Sequence, residues 1–470
     1  MVENFLYDKM ISKLGFEPTS CQKNLFESLA QFVVEKDKHE IMLVNGYAGT
    51  GKTSAIAALV ATLKEFDQNV ILMAPTGKAA KVLSNYTGTC AYTIHKQIYR
   101  QKSMSDGVGT FTLNVNHSKE TIYIVDEASL LSNGNGELSS FGSGRLLDDL
   151  VAFVNSNENN KLLLMGDSAQ LPPIGLTISE ALDPGYLQQY GQVRFSQLKS
   201  VVRQAKESGI LHNATILREM IEDGNIVFPK FELDGFDDVC RIGGGELLEE
   251  LGNSFDKAGI DETLVLCRSN KLANRYNQGI RSKLLFREER LNKGDKLMVV
   301  KNCYQFIDDI EEMDFIANGD VAELMKISKY EERYGLNFAE ATLRFADYND
   351  LEIKAKIILD TLDSETASLG MEQQRRLFTE IMEDYSNIKS KRKRIAAVRE
   401  DKYFNALQIK FASAITCHKS QGGQWRRVFI DNPFWSDQIS IDDLKWLYTA
   451  LTRAVEKVYL VNFNNKFFKY

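Results

Sequence analysis

The chain has 470 residues, 44% of them hydrophobic, and a formal net charge of −7, which suits about three domains of roughly 150 residues each and argues against a basic coat spread over nucleic acid. No stretch approaches the apolar length of a membrane span, and Met1-Val2-Glu3-Asn4 lacks the basic and apolar regions of a signal peptide, so a cytoplasmic protein with no membrane partner is expected. Six scattered cysteines without a Cys-x-x-Cys pair point to buried reduced thiols, not to zinc or a disulfide framework.

In chain order, the apolar run Ile41-Met42-Leu43-Val44 leads into Gly46-Tyr47-Ala48-Gly49-Thr50-Gly51-Lys52-Thr53 and then an Ala-rich stretch. Strand, glycine loop and helix in that order make a phosphate-binding P-loop. Gly46, Gly49 and Gly51 let the backbone N–H groups around Ala48 and Thr50 converge on phosphates. Lys52 adds a point charge near the β/γ-phosphates, and Thr53 offers a hydroxyl to Mg²⁺. ATP and Mg²⁺ are the expected ligands.

After Val70 to Ala74, the β-branched run Thr121 to Val125 reads as a buried parallel strand ending in Asp126-Glu127-Ala128-Ser129. Ligands bind at that edge of a parallel sheet, so Asp126 can reach the Mg²⁺ held by Thr53 while Glu127 orients and deprotonates water. Ser132 to Gly144 is Gly/Ser-rich, a composition that predicts mobility. With Lys161 to Met165, these strands complete a doubly wound domain.

A second strand series runs through Thr263 to Cys267, Ile409 to Thr416, Val428 to Ile430 and Val458 to Val461, without a P-loop. Two α/β units, one carrying the triphosphate loop, suggest a cleft in which ATP joins two halves. Between those strands about 292–405 is too long for a loop. Its first part reads as a small barrel of short strands with a tight Asn318-Gly319 turn, and about 364–402 as helical, with the basic run Lys389 to Arg394 open to solvent or to nucleic-acid backbone.

Gln22, Gly46–Thr53, Ala74–Ala80, Thr93-Ile94-His95, Asp126–Ser129, Gly166–Pro173, Val202-Arg203-Gln204, Ile415–Gly422 and Tyr448–Ala454 occur in one order. As a set they closely resemble the ordered motifs of superfamily 1 DNA helicases, best those of the B group of RecD-like and Dda-like enzymes. The resemblance implies an α/β fold of two RecA-like doubly wound parallel-sheet domains, at 1–84 with 119–200 and at 201–291 with 406–470. It also implies a β-hairpin insertion at 85–118, with a candidate strand-separating pin turning at Asp106-Gly107, and an SH3-like β-barrel with a helical extension at 292–405.

The resemblance also implies roles. Gln22 looks like the adenine-reading glutamine and Gln170 like the γ-phosphate sensor. Arg203 and Arg453 look like the arginines that reach the γ-phosphate from the second unit. Thr76, Gly77, Thr93 and His95, with Thr416 and His418, would face single-stranded DNA, joined by Asn302 and Asn318 of the barrel. Gly422 would link that surface to the nucleotide. The implied activity is 5′–3′ movement on single-stranded DNA with opening of duplex at single-strand/duplex junctions, by a monomer that works beside single-strand-binding, replication or repair proteins. The alternative is a nucleic-acid-stimulated ATPase that remodels RNA or protein–DNA complexes without unwinding.

Overall fold

The computed structural model describes residues 2–35, 40–101, 111–134, 142–202, 207–303, 305–307, 313, 315–434, 436 and 438–469. The first unit contributes β1 (Ile41–Gly46), β2 (Val70–Ala74), β3 (Ala91–Thr93), a hairpin of β4 (Tyr99–Gln101) and β5 (Phe111–Leu113), then β6 (Ile122–Val125), β7 (Lys161–Gly166) and β8 (Val193–Leu198). Six of these form one parallel sheet in the order β3-β2-β6-β7-β1-β8. Every residue of β1, β6 and β7 is buried, as a parallel sheet covered on both faces requires. Because β6, β7 and β1 are neighbours, the loops leaving their carboxyl ends lie side by side.

The second unit contributes β9 (Val239–Ile242) and β10 (Thr263–Cys267). The chain then enters a closed barrel of β11 (Lys296–Val299), β12 (Val321–Arg333), β13 (Leu336–Phe345), β14 (Leu351–Ile358) and β15 (Leu407–Phe411). It returns as β16 (Ala414–Thr416), β17 (Trp425–Asp431) and β18 (Ala454–Val461), giving a parallel sheet in the order β16-β10-β17-β18-β9. Two parallel sheets and a small barrel are thus the observed α/β architecture.

The structure departs from the sequence reading at several points, beginning with β3, which lies inside the expected 85–118 insertion yet pairs with β2 in the first sheet. The run Ile409 to Thr416 is two strands, divided at Ala412-Ser413: β15 closes the barrel and only β16 joins the second sheet. The barrel therefore extends to Phe411, past the expected limit at 405, because an uninterrupted apolar run carries no mark of which sheet each half pairs with. The second sheet also gains β9, whose Val-Cys-Arg-Ile sequence has no clear alternation. The barrel strands are not all short: β12 and β13 span 13 and 10 residues and turn at Tyr334-Gly335, both left-handed at φ 54° and 64°. Helices Met371–Asp384 and Lys391–Glu400 pack on that hairpin through Leu377, Ile381 and Val398 against Leu336, Phe338 and Tyr403. Within the basic run, Arg394 is spent on the Ile388 carbonyl, while Lys389, Lys391 and Lys393 are exposed.

Among the described residues no helix is long and apolar enough to cross a membrane. The cysteines are free thiols, but the expectation of burial fails at Cys90, which is exposed. The Asp106-Gly107 turn lies outside the described residues, as do positions 135–141 of the Gly/Ser-rich stretch; its buried Asn133 donates to Asp148 and to the Tyr186 and Tyr190 hydroxyls.

Asp295 sets the barrel on the second unit. Its buried carboxylate takes Arg281 at 3.0 Å, Arg287 at 2.6 Å and the Asn292 N–H at 2.7 Å. Removing one partner of such a cluster leaves the others unpaired out of water, so Asp295→Ala is expected to lower stability by about 3–5 kcal/mol. Denaturant unfolding checks this, and a loss under about 1 kcal/mol, the ordinary value of a surface pair, would show that the cluster is solvated.

Candidate nucleotide cleft and nucleic-acid groove

The three neighbouring strand ends build one wall of a cleft. Gly51 ends the loop after β1 at φ +78°, where a Cβ would lie 2.5 Å from the Gln22 amide nitrogen, so the tight turn into helix Lys52–Glu65 requires glycine. The Lys52 ammonium donates to the Gly46 carbonyl and to that of Tyr47 at 3.0 Å, and stands 4.0 Å from Asp167. At the end of β6, Asp126 accepts from the Glu127 N–H at 2.7 Å. Glu127 itself is left-handed at φ 54°, a conformation that costs a non-glycine residue on the order of 1–3 kcal/mol and that functional sites often hold. Desolvation, and after it the Glu127 charge, pushes the Asp126 carboxyl up to about 7, against the pull of Lys52. Such a pair, with the Thr53 hydroxyl in the same cavity, suits a hard cation that ligates oxygen. Gln170, after β7, is buried with an Oε1 that has no hydrogen-bond partner among the described residues.

The opposite wall comes from the second unit: Gly422, Gln424, Thr452 and Arg453 line the same cavity of about 360 Å³ as Ala48, Gly49, Lys52, Thr53, Asp126, Glu127 and Gln170. The buried Arg453 guanidinium donates to the Thr449 and Gly423 carbonyls, both at 3.1 Å, and to the Thr452 hydroxyl at 3.3 Å. Gly422, at φ +74°, lies so close to the first unit that a Cβ would meet the Thr76 hydroxyl at 3.1 Å. Gln22 is fully buried: its carbonyl closes a capping box with Thr19 and its amide donates to the Thr50 carbonyl. Arg203 lies outside the described residues.

Between the walls runs a hydrogen-bonded bridge. The Ala48 N–H donates to the Tyr448 hydroxyl at 2.8 Å, and that hydroxyl donates to Asp167 at 2.7 Å. Leu171 N–H donates to the Thr449 hydroxyl, and the Gln421 amide to the Leu171 carbonyl. Tyr448 is wholly enclosed, and desolvation, with Asp167 adding to it, drives its phenol far above the ordinary range, so the hydroxyl keeps its proton.

A second groove, about 450 Å³, separates the first unit from the barrel and is lined by Thr76, Gly77, Thr93, His95 and Asn318. Both threonine hydroxyls cap helices, Thr76 accepting from the Ala79 N–H and Thr93 from the Lys96 N–H. His95 packs on Phe315 of the barrel, and desolvation lowers it to about 4, so it is neutral at ordinary pH. The Asn302 side chain accepts from the Asn318 N–H at 2.6 Å and orients it from behind. Thr416 and His418 stand apart from this groove, at the carboxyl end of β16.

A family model described as an AAA domain matches residues 22–222, and one described as a UvrD-like helicase C-terminal domain matches residues 411–461. The ATP-dependent RecD2 DNA helicase of Deinococcus radiodurans is 30% identical over 200 residues, 42% of this chain and 25% of that protein, so the chain spans a quarter of that relative's length. The ATP-dependent DNA helicase dda of Enterobacteria phage T4 is 23% identical over 482 residues, 94% of this chain and 99% of that one. These likenesses support the resemblance to the superfamily 1B helicases. The crystal structure of a Pif1 helicase from Bacteroides in complex with ADP-AlF3 and ssDNA is similar at a TM-score of 0.47 and 14% identity, over 97% of this chain and 95% of that one.

Reading by motif passes over two residues that the geometry brings forward, Asp167 and Tyr448. Both lie inside quoted motifs. The available signal was a carboxylate and a phenol at the edges of apolar elements, where burial demands a partner for each.

Two tests follow. Lys52→Ala is expected to abolish ATP hydrolysis, whereas Glu127→Gln should keep nucleotide binding and lower turnover by roughly 10²–10⁴-fold, the range for loss of a general base. Near-normal phosphate release from Glu127→Gln would remove Glu127 from the chemistry. In the groove, desolvation raises buried Asp320 from 3.8 to about 7, so its folded form binds a proton more tightly than the unfolded chain. Its contribution is fully present below the unfolded value and is lost as pH rises through about 7. Asp320→Asn should therefore raise the melting temperature on the alkaline side of neutrality relative to the parent, an advantage that vanishes in acid; a constant difference at every pH would refute the assignment.

Proposed function

We propose that this chain is an ATP- and Mg²⁺-dependent DNA helicase that moves 5′ to 3′ along single-stranded DNA and separates the duplex ahead of it. One observation carries the reading: the P-loop, the acidic pair and Gln170 of the first unit share a single cleft with Arg453 of the second. A triphosphate held there would touch both units, so its hydrolysis would change how they sit together.

In this reading Lys52 exchanges its loop carbonyls for the β/γ-phosphates, and the N–H groups of the loop and the N-terminus of helix Lys52–Glu65 receive the rest of the charge. Thr53 and Asp126 would hold Mg²⁺, which when bound neutralises phosphate charge. Glu127 takes the proton of the attacking water, and Gln170 offers its unpaired amide oxygen to that water. Arg453 is already held at three points, so it reaches the γ-phosphate by closure of the second unit and not by swinging alone. The groove of Thr76, Gly77, Thr93, His95 and Asn318 would follow the backbone of one strand, with Thr416 and His418 as the grip of the second unit.

A duplex with a 5′ single-stranded tail should be opened and one with only a 3′ tail should not, and single-stranded DNA should raise the ATPase rate in a salt-sensitive way. Arg453→Ala and Arg203→Ala should each lower turnover on the order of 10³-fold with less effect on ATP affinity. Opening confined to 3′ tails would reverse the polarity, and ATPase stimulation without opening of any DNA or RNA duplex would favour a remodelling translocase.

A further inference from the structure

Helix Gly77–Thr87 begins in the nucleic-acid groove, and its second residue, Lys78, points across the boundary between the units. The Lys78 ammonium sits 3.6 Å from the ring centroid of Trp425, the first residue of β17. Lys78 is half-buried and has no ion pair with a carboxylate among the described residues. Desolvation lowers it to about 8 despite the more distant Asp347, Glu262 and Asp261. An ammonium drawn out of water against an indole face is held chiefly by that face, which is the strongest aromatic partner for a cation.

Trp425 is tied in turn to the nucleotide side. Its backbone N–H donates to the Arg453 carbonyl at 2.9 Å, and the Arg453 guanidinium donates to the Gly423 carbonyl at 3.1 Å. A Cβ on Gly423 would lie 2.6 Å from the indole and 3.1 Å from the Lys78 stem, so the segment before Trp425 has no slack. The helix that follows Thr76 is thus connected through Lys78 and Trp425 to the backbone of Arg453.

We propose that Lys78 and Trp425 form an inter-unit strut that couples occupancy of the nucleic-acid groove to the placement of Arg453, making both positioning residues for DNA-stimulated ATP hydrolysis. The inference rests on the function proposed above. It predicts a separation of rates: without the strut the cleft still hydrolyses ATP at its basal rate, but DNA no longer accelerates it.

The test measures phosphate release with and without saturating oligo-deoxythymidine, alongside DNA affinity by fluorescence anisotropy and thermal melting, for the parent, Lys78→Met, Lys78→Arg, Trp425→Leu and Trp425→Phe. Lys78→Met and Trp425→Leu should keep basal turnover and lose DNA stimulation by a factor of about 5–150, the usual span of coupling between two sites. Lys78→Arg and Trp425→Phe, which restore a cation or a ring face, should recover most of it, and the double variant Lys78→Met/Trp425→Leu should be no worse than either single change. Full stimulation in Lys78→Met overturns the strut. Full stimulation at saturating DNA together with weakened DNA affinity in Lys78→Met makes Lys78 a DNA ligand and also overturns it, and equal losses in the conservative and disruptive variants reduce the contact to packing and overturn it too. A parent protein that DNA does not stimulate at all would fail the proposed function itself, which distinguishes that failure from failure of the strut.

Discussion

The arrangement depends on one buried hydroxyl. Tyr448 accepts from the Ala48 N–H of the P-loop and donates to Asp167 at the end of β7, while standing on a helix of the other unit. None of these groups can be left unpaired without a desolvation cost of about 1–3 kcal/mol, so the second unit is registered on the phosphate loop and not merely packed near it. Asp167 is also 4.0 Å from the Lys52 ammonium. The lysine that would hold phosphate and the tyrosine that holds the second unit therefore share one carboxylate. In the proposed cycle, charge entering the loop competes for the same N–H and the same ammonium that now fix the units.

Local chemistry accounts for the rest of the cleft. The left-handed Glu127 and Gly51, the desolvated Asp126 and the unpaired Gln170 oxygen all lie at strand ends of one parallel sheet, where backbone groups and helix N-termini point at a ligand. Strain and desolvation concentrated there, at the ends of the buried strands β1, β6 and β7, are the pattern of a site that binds charge. The groove beside the barrel differs in kind. Its threonines cap helices, its histidine is neutral and its asparagine is held by Asn302, so these residues offer hydroxyls and amides, beside Lys81, Lys96, Asp320 and Asp347 on the same lining.

Much of this was legible in the sequence wherever a residue type is forced by its immediate neighbours. The P-loop, the strand that ends in Asp126-Glu127 and the existence of a second series without a P-loop follow from apolar runs and glycine spacing alone. What could not be read depends on partners far away in the chain. Ile409 to Thr416 reads as one strand because nothing within it says that its halves pair with Val299 and Cys267 respectively. The side chain of Gln22, expected to read a base, is enclosed between Thr19 and the Thr50 carbonyl, and that enclosure is created by a loop 28 residues away. Tyr448 and Trp425 are inconspicuous for the same reason, since their partners are supplied by the other unit.

In the proposed cycle a nucleotide in this cleft governs the distance between the two parallel-sheet units. This is tested most directly by placing one spin label on an exposed position of each unit and measuring the distance distribution by double electron–electron resonance in the presence of single-stranded DNA. A shorter distance is expected with a non-hydrolysable ATP analogue than with ADP, and a return to the longer one after hydrolysis. A distribution that is the same in every nucleotide state, with binding shown to be saturated, would contradict it.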